Sequence, residues 1–154
     1  MPQKKKQEKN IAELTNTSLL VPNVSLDKFI LGSDIRGYLK NVSYVYEENP
    51  DTKKDVGYDS YCFENPDLEV WTDKNGIIRS VRSETYCYWN NINIVGLRYN
   101  KFKEIFQLEP DDQEICYLYD GTSQHVYDFD SVGLQIWVWY GVIRTVIAYQ
   151  ATDD

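Results

Sequence analysis

The chain has 154 residues, 42% of them apolar, with 24 acidic against 16 basic side chains and a net charge of −8. Four lysines against one glutamate make the first ten residues +3, which leaves −11 on the remaining 144. A body that acidic repels nucleic-acid phosphates and anionic membrane surfaces and suits a basic protein instead.

Residues 1–10, MPQKKKQEKN, are predicted to be a basic tail, followed over 11–20 by a short helix that Thr15, Asn16, Thr17 and Ser18 weaken. No apolar segment of signal-peptide type follows the lysines, and no run is long enough to cross a bilayer, so a cytoplasmic protein is expected. Cys62, Cys87 and Cys116 are odd in number and widely spaced, which argues for a reducing compartment and against a disulfide framework.

Beyond Pro22, Ser33 or Asp34 is placed to cap a helix carrying Ile35, Tyr38 and Leu39 on one face, although Gly37 inside it weakens the helix. Val42 to Tyr46 alternates as a strand, a polar loop follows, and Tyr58 to Phe63 is a second strand. Leu68 to Val81, LEVWTDKNGIIRSV, then predicts a hairpin. Residues 83–95 join this unit to the next, with Tyr86, Tyr88 and Ile92 extending the last strand or covering the core. A second helix from Asn100 presents Phe102, Ile105 and Phe106. Glu109 to Asp112 is expected as loop, Ile115, Tyr117 and Tyr119 alternate, and DGTS at 120–123 is a turn. Val126 to Phe129 and the Leu134 to Tyr149 hairpin, turning at Tyr140-Gly141, complete the series.

The two hairpins match. Leu68, Val70 and Trp71 align with Leu134, Ile136 and Trp137, and Gly76, Ile78, Arg79, Ser80 and Val81 with Gly141, Ile143, Arg144, Thr145 and Val146, one residue having dropped from the second turn. Tyr61 and Phe63 fall likewise on Tyr127 and Phe129. The sequence thus predicts an α+β fold of two tandem helix-plus-antiparallel-meander repeats. They form one domain with a tail at 1–22, a first repeat with connector at 23–95 and a second repeat at 96–150. Roughly eight strands make one antiparallel sheet with helices on one face. This order, over residues 26–149, resembles the tandem architecture of the β-lactamase inhibitor proteins and that of the single-unit outer-membrane assembly lipoproteins.

In the hairpins Leu68, Val70, Leu134 and Ile136 point one way and Trp71, Trp137 and Trp139 the other, in company with Glu69 and Gln135. Acid and amide do not suit a helix-covered core, so the tryptophans are expected on the open face, unless a bulge reverses the alternation. With 13 Tyr and 4 Trp in the chain, such a face has the composition of protein interfaces.

No catalytic set stands out. His125 is the only histidine and has no Ser or Cys beside it in a recognisable elbow. Asp128 and Asp130 flank Phe129 on one side of a strand, as two cooperating carboxylates must, but their counterparts Cys62 and Glu64 are no such pair. The three cysteines and His125 lack zinc-ligand spacing. The segments Asp111-Asp112-x-Glu114 and Asp120-Gly121 are too short for a calcium loop, and Gly32 and Gly37 form no phosphate loop. No metal and no cofactor is expected.

In size, acidity and aromatic content the chain resembles the immunity proteins of bacterial contact-dependent growth inhibition and other polymorphic toxin systems. The resemblance implies a cognate toxin as partner, often a basic nuclease, with no direct contact to nucleic acid or membrane. The expected anchors are Trp71, Trp137 and Trp139, with Tyr44 and Tyr46 if they share that face, and Glu47, Glu48, Asp128 and Asp130 supply charge. The alternatives are a small-ligand or enzymatic domain with a Tyr/Trp-lined pocket served by Arg79, Arg144 and His125, or a secretion or assembly chaperone. Arg79 and Arg144 also have a structural reading, pairing with acids across the sheet.

Overall fold

The computed structural model describes residues 18–151. The expected tail at 1–10 and most of the expected helix at 11–20 lie outside them, and Leu20 itself opens a strand. That strand, β1 (Leu20–Val21), folds onto β2 (Ser25–Leu26) and β3 (Phe29–Ile30) as a small sheet that buries Leu20, Leu26 and Phe29.

The expected first helix is a single 3₁₀ turn, Ile35–Tyr38. Its start is as predicted, with the Asp34 carboxylate accepting from the Arg36 amide at 2.9 Å. It does not propagate, because Gly37 disfavours helix and Asn41 leaves the right-handed region at φ 59°. Four strands follow: β4 (Tyr44–Glu47), β5 (Asp59–Glu64), β6 (Asp67–Thr72) and β7 (Ile78–Ser83). The 83–95 connector covers the core instead of lengthening β7. It forms a tight hairpin, β8 (Tyr88–Trp89) and β9 (Ile92–Asn93), flanked by the fully buried Cys87 and Ile94.

The helix α1 (Tyr99–Phe106) is the one α-helix among the described residues. Tyr99 and Phe102 are its buried residues and Phe106 packs against the core, whereas Ile105, expected on that face, is 39% exposed. The covering layer is therefore one helix, one 3₁₀ turn, one small three-stranded sheet and one small hairpin, not a pair of helices. Then come β10 (Asp112–Tyr117), β11 (Ser123–Phe129), a 3₁₀ turn at Asp130–Val132, β12 (Leu134–Trp139) and β13 (Val142–Tyr149).

The eight long strands make one antiparallel sheet in the order β10-β11-β12-β13-β7-β6-β5-β4. Each meander is sequential, and the two meet at their last strands, with Ala148 opposite Val81 and Ile147 opposite Arg82. The two inner hairpins share their irregularity. Trp71 faces Ser80 but Thr72 faces Ile78, which leaves Arg79 as the extra residue; Trp137 faces Thr145 but Val138 faces Ile143, which leaves Arg144. The segment before each meander docks alike, Gly32 and Gly96 donating to the carbonyls of Ile78 and Ile143 at 2.8 and 2.7 Å.

The core fills the aliphatic side of the sheet. Phe29 meets Phe63 at 4.8 Å and Phe102 meets Phe129 edge-on at 5.5 Å, and around them Val70, Val81, Leu134 and Ile136 are fully buried. Burial on that scale, at about 25 cal/mol per Å² of apolar surface, is what holds the layers together.

Candidate functional site: the tryptophan face of the sheet

Alternation along β6 and β12 separates the two sides of the sheet as the sequence predicts. Leu68, Val70 and Thr72, with Leu134, Ile136 and Val138, are buried on the core side; Glu69, Trp71, Gln135, Trp137 and Trp139 are half-buried on the other. The bulges lie in the outgoing strands, so Trp139 stays on the side of Trp137. Trp137 stands between Val126 of β11 and Thr145 of β13, its direct cross-strand neighbours, and Gln135 stands beside Ile147. Val126, Thr145 and Ile147 are 1%, 5% and 6% exposed but belong to no part of the main core cluster. The indoles of the second meander thus rise from a buried aliphatic floor on the side away from the core.

Polar groups on this face are tied by short bonds. Gln135 donates Nε2 to Asp128 Oδ1 at 2.9 Å and accepts the Trp137 indole N–H at 2.8 Å, which fixes that ring. Glu69 accepts from Ser60 Oγ and Cys62 Sγ, both at 3.2 Å, and pairs with Arg82 at 3.7 Å. Burial and then the bond to Glu69 push the Cys62 thiol above its ordinary range, which lowers its thiolate fraction at neutral pH. At the far end of β11, Asp111 Oδ2 accepts the Asp130 amide at 2.7 Å, and Tyr149 donates its hydroxyl to Asp130 Oδ1 at 2.7 Å. Burial pushes the Tyr149 phenol up, and the bond to Asp130 and the charges of Asp130, Asp128 and Asp111 push it further. Among the described residues, Asp111, Asp112, Glu114, Asp128 and Asp130 enter no ion pair.

Other predicted residues go elsewhere. Tyr44 and Tyr46 stand opposite Phe63 and Tyr61 in β5, with ring centroids at 5.9 and 4.9 Å, which places them on the core side and not beside the tryptophans. Their parity follows from the pairing of β4 with β5 across a long loop, which local alternation does not set. Glu47, opposite Ser60, is on the tryptophan side at the sheet edge, and Glu48 beyond it pairs with Lys53 at 3.6 Å. Asp130 is outside the strand, in the 3₁₀ turn, so the expected alternation of Asp128 with Asp130 along one strand does not occur.

The cationic candidates do not converge. Arg79 is held by Asp73 at 2.8 Å within its own hairpin, while Arg144 lies over the Trp139 ring at 5.7 Å. His125 is exposed and stacks on Tyr127 at 6.3 Å. With Trp139 and Tyr140 it lines a shallow cleft of ≈ 430 Å³ between two hairpin tips. The fourth tryptophan, Trp89, is a packing residue stacked on Phe106 at 4.1 Å.

Sequence reading alone missed Val126 and Ile147 as the floor and Arg82 as the cation on Glu69; only cross-strand register brings these together. Among the described residues, no group of three or more His, Cys, Asp or Glu is arranged to hold a metal ion, and no helix is long and apolar enough to cross a membrane. No protein-family model, no curated protein and no solved structure matches the chain, so the reading of this face rests on its own chemistry.

Proposed function

We propose that the chain is a binding protein of the immunity type, which neutralises a basic toxin domain in the cytoplasm by laying its tryptophan face against the toxin. One observation carries this reading: three half-buried indoles stand on the side of the sheet away from the core, and those of the second meander rise from a buried aliphatic floor near Asp128, Asp112 and Glu114, which no cation of the described residues answers. Large aromatic side chains whose bodies are already partly desolvated and held in one rotamer lose little entropy on binding, and they dominate the energetics of interfaces. Unanswered carboxylates beside them speed encounter with a cationic partner and fix its register. A nuclease, whose site must attract phosphates, is a partner of that charge.

The frame that presents this face is, in the same reading, a duplicated unit. The shared bulges at Arg79 and Arg144 and the shared docking of Gly32 and Gly96 support a common origin for the two meanders. The cleft at His125, Trp139 and Tyr140 supports a second reading, a small-ligand site, in which those rings stack on a planar ligand.

The test is recovery of the partner with the tagged chain from its own host, at low and at high salt. A basic protein is expected that is toxic when expressed alone and harmless beside the chain, and that associates more slowly as salt rises. Replacing Trp71 and Trp137 together by Ala, with the fold verified by circular dichroism, is expected to weaken the complex by about 2 kcal/mol or more. Unchanged affinity in that variant would sink the proposal.

A further inference from the structure

Strand β10 is a sheet edge, paired with β11 alone, so along its outer side alternate N–H and C=O groups have no ladder partner. Edges of this kind are normally blunted by charged side chains, above all lysine, by proline or by a bulge. Strand β10, DQEICY in unbroken register with β11, has only the acids Asp112 and Glu114, which repel another acidic strand but not a cationic one. Its two sides differ. Asp112, Glu114 and Cys116 fall on the tryptophan side, while Ile115 and Tyr117, 49% and 78% exposed, fall on the other.

The charge on the tryptophan side is set against itself. Asp112 stands directly opposite Asp128, a like-charge cross-strand pair of the kind that destabilises a sheet, and alongside them the Asp111 carboxylate accepts the Asp130 backbone amide. On the same side Gln124, opposite Cys116, keeps a buried side-chain oxygen without a hydrogen-bond partner. A second copy of the chain cannot relieve this arrangement, because antiparallel pairing of two β10 strands adds acids to acids. The opposite edge, β4, is four residues long, and its Glu47 faces Ser60.

We propose that β10 receives an extended, cationic segment of a partner protein as a ninth strand of the sheet. Alternate lysines or arginines of that segment meet Asp112, Glu114 and Asp128, and its intervening residues meet Ile115 and Tyr117. This rests on the binding-protein reading above and adds to it the place and the chemistry of the contact. Main-chain bonds supply affinity and alternate side chains supply selectivity, as in strand addition generally.

The probe is a blocked peptide in which lysine alternates with threonine, titrated at low salt into the ¹⁵N-labelled full chain. Saturable binding is expected, with shifts centred on the β10 amides and slowed hydrogen exchange there. The affinity is expected to fall at least about tenfold in the Asp112→Asn/Asp128→Asn variant, whose amide spectrum shows the fold intact. A peptide carrying glutamate for lysine is expected not to bind. Shifts spread over every acidic surface without slowed exchange, shifts centred on β4, or equal affinity in the double variant would each overturn the proposal. So would a marked gain in peptide affinity when Lys4, Lys5, Lys6 and Lys9 are replaced by Gln, since the chain's own lysines would then be the occupant. The two readings fail separately: the tryptophan variant tests the face with the recovered toxin, and the peptide tests the edge without it.

Discussion

Glu69 stands two residues before Trp71 in β6, as Gln135 stands two before Trp137 in β12, and each is bonded to the residue opposite in the next strand. In the first meander the acid is on the inner strand, opposite Cys62, and Arg82 answers it. In the second the acid has moved to the outer strand as Asp128, the inner strand has an amide, and no described cation answers. The same positions, hydrogen-bonded in opposite senses, thus give one closed charge and one available charge. Net composition does not distinguish these cases; which side of a cross-strand pair carries the carboxylate does.

Five substitutions break or sharpen this comparison. The largest effect is expected from Phe63→Ala and Phe129→Ala, equivalent residues that are 3% and 0% exposed. Each is expected to cost about 3–5 kcal/mol. Because the β7–β13 ladder joins the meanders, both should move one common unfolding transition in denaturant. Two separated transitions would show that the halves are independent.

Next is Asp73→Asn. Asp73 caps the β6–β7 turn, accepting from the Asn75 and Ile77 amides and from Arg79, whereas the shorter β12–β13 turn has Tyr140 and Gly141 at φ 52° and 75° and no carboxylate. Burial raises the Asp73 pKa, but those bonds outweigh it and the carboxyl is held below its ordinary value. A depressed folded-state value means the stabilisation is complete above the free carboxyl's pKa of about 3.9 and is lost as pH falls through the lower folded value. The variant is expected to lose about 1–2 kcal/mol at neutral pH, with a smaller loss of stability on acidification, read from denaturation midpoints across pH.

Smaller still, Gly37→Ala is expected to gain about 0.5–1 kcal/mol and to add helical ellipticity, since a Cβ there meets nothing within 4 Å. It makes the first half more like the second. The smallest is Asp128→Asn, which keeps an oxygen for Gln135 but removes the like charge facing Asp112. A gain of a few tenths of a kcal/mol that disappears at high salt is expected; a loss would mean the pair is not repulsive.

What the sequence discloses here is what is local. The alternation L-x-V-W and L-x-I-W sets the sides of β6 and β12, and Asp34 and Gly37 already mark a helix with a start and no continuation. The small hairpins were not legible, because two-residue strands around Asp27-Lys28 and Asn90-Asn91 are too short to show any period. The parity of Tyr44 and Tyr46 and the pairing of β13 with β7 depend on register between distant segments. So does the like-charge pair at Asp112 and Asp128, since neither strand's own sequence says which acid faces which.

The meeting of β7 with β13 has a consequence for the order of events in synthesis. On the ribosome the first meander can be complete by Ser83, yet its inner edge, with Val81 ready to pair, has no neighbour until Ala148 and Tyr149 emerge. For that interval the nascent polypeptide displays an unprotected sticky margin, and closure must wait for a contact far apart in sequence, which is entropically slow. Translation speed across the later half, and any holdase present meanwhile, should therefore govern yield more than the strength of either hairpin.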